Sequence, residues 1–154
     1  MKLHMCKVLV LVVILSMFLC SCLQGSPIGS SLVMTDDTGA VTSQFKQNSR
    51  VTFIIVMANI TSQLQVLSYQ TAQKHDVAIY DDQQKLIWSW SNHLIFDPTP
   101  TELTFDPYMI RVFGVFWDGK DNNDDPIPPG IYTVYVENPS VGIFTGPHQI
   151  EITE

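Results

Sequence analysis

Beyond Ser31 the chain never sustains the apolar period that a surface helix needs. It carries instead short runs rich in Val, Ile, Thr, Tyr, Phe and Trp, cut by Pro, Gly, Asn and Asp, which is the pattern of an all-β domain. The runs predict strands at Ser31–Thr35, Arg50–Asn59, Gln65–Gln70, Asp76–Tyr80, Lys85–Ser91, Thr101–Phe105, Met109–Trp117, Ile131–Glu137 and His148–Thr153. Nine such runs imply two packed sheets. Val51–Ala58 is apolar on nearly both parities, as a central strand covered on each side would be, or a short buried helix; its β-branched content favours the strand. Asp81-Asp82-Gln83-Gln84 is a hairpin-length polar stretch. Asp97-Pro98-Thr99-Pro100 and Asp106-Pro107 mark crossings or edges, because proline offers no ladder donor. With 154 residues, 45% of them hydrophobic and 15% charged, the chain can bury a core that needs no metal or disulfide.

The amino terminus follows different rules. Lys2 and Lys7 precede an apolar run, Val8–Leu19, that fits a signal-peptide core and is too short to span a bilayer. Cys6, Cys20 and Cys22 all lie in or beside it, so the folded body is cysteine-free. Leu19-Cys20-Ser21-Cys22 resembles the bacterial lipobox, with Cys22 as the expected lipid carrier; an ordinary secretory signal or an uncleaved anchor is the alternative. The expected organisation is a lipoprotein signal peptide over 1–21, a flexible Gly/Ser/Pro tether over 22–31 and a sandwich over 32–154. Such a precursor is exported and held at the cell envelope by its acyl chains. Leu23, not aspartate, follows the expected lipid cysteine, which in a two-membrane bacterium would permit outer-membrane sorting. With 15 acidic against 8 basic residues, the formal net charge of −7 leaves no basic surface for nucleic acid.

Several motifs have both a structural and a functional reading. Leu86, Trp88 and Trp90 share one face at period two, predicting core or inter-sheet contact in preference to a ligand-stacking platform. From Trp117, Asp118 and Gly119 to Gly130 and Tyr132 runs the most specific stretch in the chain. Asp121, Asn123 and Asp125 have the alternation of an EF-hand start, but Pro126 stands where the turn glycine belongs and Tyr132 where the bidentate glutamate belongs. The expectation is a turn in which Asp and Asn bond their own backbone, with a looser calcium site over 118–125 as the minor alternative and no metal assigned. Gly130-x-Tyr132 looks like a tyrosine corner, with Val134 where an antibody domain has its second cysteine. No nucleophile, base and orienter can be assembled, His75, His93 and His148 have no metal-ligand spacing, and no cofactor is implied.

Asn59 closes a strong strand. Gln73-Lys74-His75-Asp76-Val77-Ala78-Ile79-Tyr80-Asp81, Leu86-Ile87-Trp88-Ser89-Trp90-Ser91 and Trp117-Asp118-Gly119 follow, and Pro128-Pro129-Gly130-Ile131-Tyr132-Thr133-Val134 ends the series. In that order they resemble the intracellular proteinase inhibitor (BsuPI-type) domain family, over residues 51–136. His75 stands where the family pattern has an aromatic, and Asp124 where it has a turn glycine. The resemblance implies an immunoglobulin-like antiparallel β-sandwich that acts by protein binding, not catalysis, with a serine protease as the implied partner. The candidate interaction loops are the proline-stiffened ones, through Pro98, Thr99 and Pro100 and through Pro126, Pro128 and Pro129. A structural or assembly module of the cell envelope, with no effect on proteolysis, is the other reading.

Overall fold

A computed structural model of the protein describes residues 26–139 and 143–154; the expected signal peptide over 1–21 and the expected lipid carrier Cys22 lie outside the described residues. The chain is all-β. Its strands are β1 (Ile28–Thr35), β2 (Gln44–Lys46), β3 (Val51–Asn59), β4 (Gln65–Tyr69), β5 (Asp76–Tyr80), β6 (Leu86–Ser89), β7 (Thr101–Phe105), β8 (Ile110–Trp117), β9 (Gly130–Asn138) and β10 (Ile143–Thr153). A 3-10 turn over Trp90–His93 follows β6. Three hydrogen-bonded sheets result, in the orders β1-β3-β8, β2-β10-β9-β5-β6 and β4-β7. The expected two sheets are therefore three, because β4 and β7 pair only with each other.

One interior serves all of them. Phe53, Ile55 and Met57 of β3 share a buried cluster with Leu67 and Tyr69 of β4, Val77 and Ile79 of β5, Val134 and Val136 of β9, and Ile150 and Ile152 of β10. On the opposite parity of β3, Val56 and Ala58 are buried as well, so the segment is covered on both faces as its composition requires.

Four sequence expectations change. β1 begins at Ile28, so the last four residues assigned to the flexible tether belong to the sheet, Ile28 pairing with Asn59. β2 was not expected, since Phe45 is its single buried residue; it joins β10 in parallel, so the sandwich is not wholly antiparallel. β10 starts before His148, its run broken by a register shift between Thr145 and His148. Leu86, Trp88 and Trp90 do not share a face. A bulge opposite Ile79 and Tyr80 turns Leu86 outward, and Trp90 has left the strand for the 3-10 turn.

Register fixes which loops share an end. Ile28 lies opposite Asn59, and Ala58 opposite Ile110, at the end where the chain arrives from its amino terminus. Thr35, opposite Thr52, and Val51, opposite Trp117, mark the far end. At the near end the chain crosses between sheets twice, after β3 and after β7, and Asn59 clasps both crossings. Its side-chain nitrogen donates to the carbonyls of Gln63 at 2.6 Å and Asp106 at 3.0 Å, and its oxygen accepts from Thr61 N–H at 2.9 Å.

His75 is buried without a hydrogen-bond partner on either ring nitrogen, stacked 4.6 Å from Trp90 and tilted against Phe113 at 5.0 Å. It fills the aromatic's place as an aromatic. Burial holds its pKa below the ordinary histidine range, against a smaller opposing pull from Asp76.

Asn59→Ala would leave the carbonyls of Gln63, Phe105 and Asp106 and the N–H of Thr61 without their partner in a buried site, and should cost about 2–4 kcal/mol in urea unfolding. For His75 the folded state takes up a proton less readily than the unfolded chain. Its stabilisation is complete above the unfolded value of about 6.5 and is lost as pH falls below it. Burial also lowers the pKa of His148, with the same sign. His75→Phe should therefore flatten, without abolishing, the fall of the unfolding midpoint between neutral and mildly acid pH. An unchanged slope would count against the buried neutral ring.

Candidate binding loops

The Trp117–Tyr132 stretch is built from the core outward. Trp117, 2% exposed, lies 6.2 Å from Phe53 and 6.0 Å from Trp88, and its indole N–H donates to the Lys120 carbonyl at 2.7 Å. Trp88 faces Phe53 at 6.4 Å across the interior. Asp118 is exposed beside Lys120, and Gly119 turns the chain at φ 80°, a left-handed value that favours glycine. Asp121 then accepts the N–H groups of Asn123 at 2.8 Å and Asp125 at 3.0 Å. This is the backbone-bonded turn expected of the acidic run, and those bonds hold the Asp121 carboxyl below the usual carboxylate range. Among the described residues no three His, Cys, Asp or Glu side chains gather as a metal-ligand set.

The return of the loop is equally tied. Ile127 is buried, donates N–H to the Gly119 carbonyl at 3.1 Å and accepts from Gln47 at 2.8 Å. The Tyr132 hydroxyl donates to the Pro128 carbonyl at 2.8 Å, closing the tyrosine corner directly after Gly130 opens β9. Pro126, Pro128 and Pro129 are thus exposed on a fixed backbone. With Ile131, Asp81, Asp82 and Asp121 they border a groove of about 590 Å³ whose lip is acidic.

The second proline loop begins from the 3-10 turn. Ser91 bonds the Asp76 carboxylate through both its N–H and its hydroxyl, which fixes the turn against β5. Leu94 is extended (φ −105°, ψ 142°), and Ile95 is fully exposed. Phe96 folds back 5.7 Å from Trp90, the Asp97 carbonyl accepts Ala72 N–H at 2.9 Å, and its carboxylate accepts Thr99 N–H at 2.8 Å. Pro98, Thr99 and Pro100 are exposed and lead into β7. Sequence reasoning stopped at the prolines and missed Leu94 and Ile95. Their signal was an apolar triplet, Leu94-Ile95-Phe96, too short and too soon ended by Pro98 to be a strand.

Asn122 connects the two loops. Its N–H donates to the Ile87 carbonyl and its side-chain oxygen accepts Ser89 N–H, both at 3.0 Å, while its own carbonyl lies 3.0 Å from a ring nitrogen of His93. Both proline loops therefore rest on β6 and the turn after it. A groove with one acidic lip and a neighbouring loop with an exposed apolar residue suit contact with a protein surface.

Two glycine-related positions test the loop geometry. A Cβ on Gly119 would meet the Asn48 nitrogen at 3.3 Å on a left-handed backbone, so Gly119→Ala should destabilise by about 1–3 kcal/mol. Asp124 is itself left-handed, at φ 67°, where the family pattern has glycine. Asp124→Gly should raise the thermal midpoint slightly, by at most about 1 kcal/mol of stability.

No curated protein matches the chain in sequence. Among solved structures it is similar to the alkylpurine DNA glycosylase AlkC of Pseudomonas fluorescens, with 12% identity, a TM-score of 0.50 and 88% of this chain covered. A β-glucosidase from Erythrobacter marinus gives 9% identity and a TM-score of 0.47 over 82% of this chain. A CARDB domain from Pyrococcus furiosus gives 9% identity and a TM-score of 0.40, with 82% of this chain and 89% of that one covered. The chain spans 33% of the glycosylase and 15% of the glucosidase, and at such identity the glycosylase likeness shows the fold alone. The model of the intracellular proteinase inhibitor BsuPI matches residues 39–143, enclosing the 51–136 core that the motifs outline. That match covers well over half of the 154 residues, and the chain belongs to the BsuPI intracellular proteinase inhibitor family.

Proposed function

We propose that this protein is an exported lipoprotein, anchored through Cys22, that binds and inhibits a serine protease at the cell envelope without catalysing a reaction itself. The family supports inhibition. The lipobox-like Leu19-Cys20-Ser21-Cys22 behind a short apolar run supports export and anchoring.

The observation that carries the inhibitory reading is the Leu94–Pro100 loop. Ile95 stands fully exposed directly after the extended Leu94, bracketed by the bonded 3-10 turn on one side and by Phe96 and Asp97 on the other. An exposed apolar side chain on a loop already tied at both ends enters a protease cleft with little ordering cost. The Trp117–Tyr132 loop buttresses it through Asn122 and offers the acidic groove as a second contact.

The test is peptide hydrolysis by subtilisin-like serine proteases in the presence of the full chain. Inhibition is expected, weakened on the order of a hundredfold by Ile95→Asp, as for a central anchor of an interface, with no change in thermal midpoint because the side chain is exposed. Unchanged hydrolysis at large molar excess would reject inhibition. Partner capture by crosslinking, with proteolysis untouched, would favour an assembly module instead.

A further inference from the structure

We infer that the end of the sandwich where β1 begins lies against the bilayer, with Ile60, Leu64, Tyr108 and Ile110 seated in the lipid interface and the Trp117–Tyr132 loop held away from it. This rests on the anchoring of Cys22 proposed above.

The first support is chain length. Since β1 starts at Ile28, only Leu23–Pro27 separate the lipid cysteine from the first paired residue. Fully stretched, that link spans roughly 20 Å, less than the ~26 Å length of the eight-residue strand β1. A domain on so short a leash cannot stand clear of the membrane, and the end it presents is the one carrying Ile28. Pro27 is itself fastened there, its carbonyl accepting the N–H of Ile60 at 3.0 Å.

The second support is what that end exposes. Leu64 is 56% exposed, Tyr108 68% and Ile110 53%, with Ile60 beside them and Val112 next along the outer face of β8. Asn59 brings these residues together by clasping the 60–64 loop to the turn after β7, and Tyr108 N–H donates to the Thr61 carbonyl at 3.3 Å. Tyr108 is left-handed at φ 58°, a conformation rare for a bulky residue, and its phenol is held in solvent. A phenol beside aliphatic side chains is the pairing that partitions to the boundary between headgroups and acyl chains.

Charge distribution agrees. In the 60–64 loop and the 106–109 turn Asp106 is the single charged residue, and Arg111 follows on β8. Asp36, Asp37, Asp81, Asp82, Asp118, Asp121, Asp124 and Asp125 occupy turns at the far end, more than half of the 15 acidic residues. An anionic leaflet attracts neither pole strongly but repels the acidic one, which orients the domain with that pole outward.

The test uses the full chain made with its own signal, reconstituted in vesicles of phosphatidylethanolamine and phosphatidylglycerol containing a nitroxide-bearing lipid. Leu64→Cys and Tyr108→Cys carry a fluorescent label, with Val41→Cys, exposed and paired with Thr35 at the far end, as the reference. The mass of Cys22 is measured on the same samples. With Cys22 acylated, labels at Leu64 and Tyr108 should be quenched several-fold more than the label at Val41. Acylated protein with equal quenching at all three sites would overturn the seating and leave the anchor standing. A Cys22 without acyl mass would overturn both.

Discussion

The contact of Phe53 with Trp88 and Trp117 links the interior to the two proline loops. Phe53 is wholly buried in the middle strand of one sheet, Trp88 stands on the edge strand of the other, and Trp117 ends β8 where the distal loop begins. Each centroid separation, 6.4, 6.2 and 6.0 Å, lies in the range where aromatic pairs add to the gain from burial. The stack fixes the direction in which the chain leaves β8, and the Trp117 indole then holds the Lys120 carbonyl. Because Asn122 grips β6 next to Trp88, both proline loops inherit their positions from this one packing contact.

A cysteine-free body must shape its loops without crosslinks, and here aspartate does it. Asp36, Asp81 and Asp121 each accept the N–H groups two and four residues on, giving three turns of the same construction at the far end of the sandwich. The acidity of the chain is thus in large part turn chemistry, and it accumulates at one pole. The near end is built differently, around the neutral amide of Asn59, and remains almost uncharged. The two ends of the sandwich therefore differ in character, one acidic and the other apolar and almost uncharged.

Alternation made the fold legible. Val77 and Ile79, or Tyr132, Val134 and Val136, mark the buried face of their strands without ambiguity, and the order of the tryptophan and glycine motifs pointed to the family. Pairing was less legible. Nothing local tells β4 and β7 to leave the larger sheets, and Phe45 alone cannot announce a strand that exists only because β10 lies beside it. The bulge that separates Leu86 from Trp88 is likewise a property of β5 and β6 together. Asp124 in a left-handed turn was legible as a departure from glycine, whereas Ile95 was not, since an apolar triplet reads as core until its neighbours prove to be anchored.

Hydrogen exchange read by mass spectrometry on the lipidated full chain in vesicles, alone and with a subtilisin-like protease, tests the two-ended arrangement most directly. Vesicles should slow exchange in residues 60–64 and 106–109, and added protease should slow it in 94–100 and its buttress 118–131. Protease protection confined to residues 60–64 and 106–109, with 94–100 unchanged, would contradict the account.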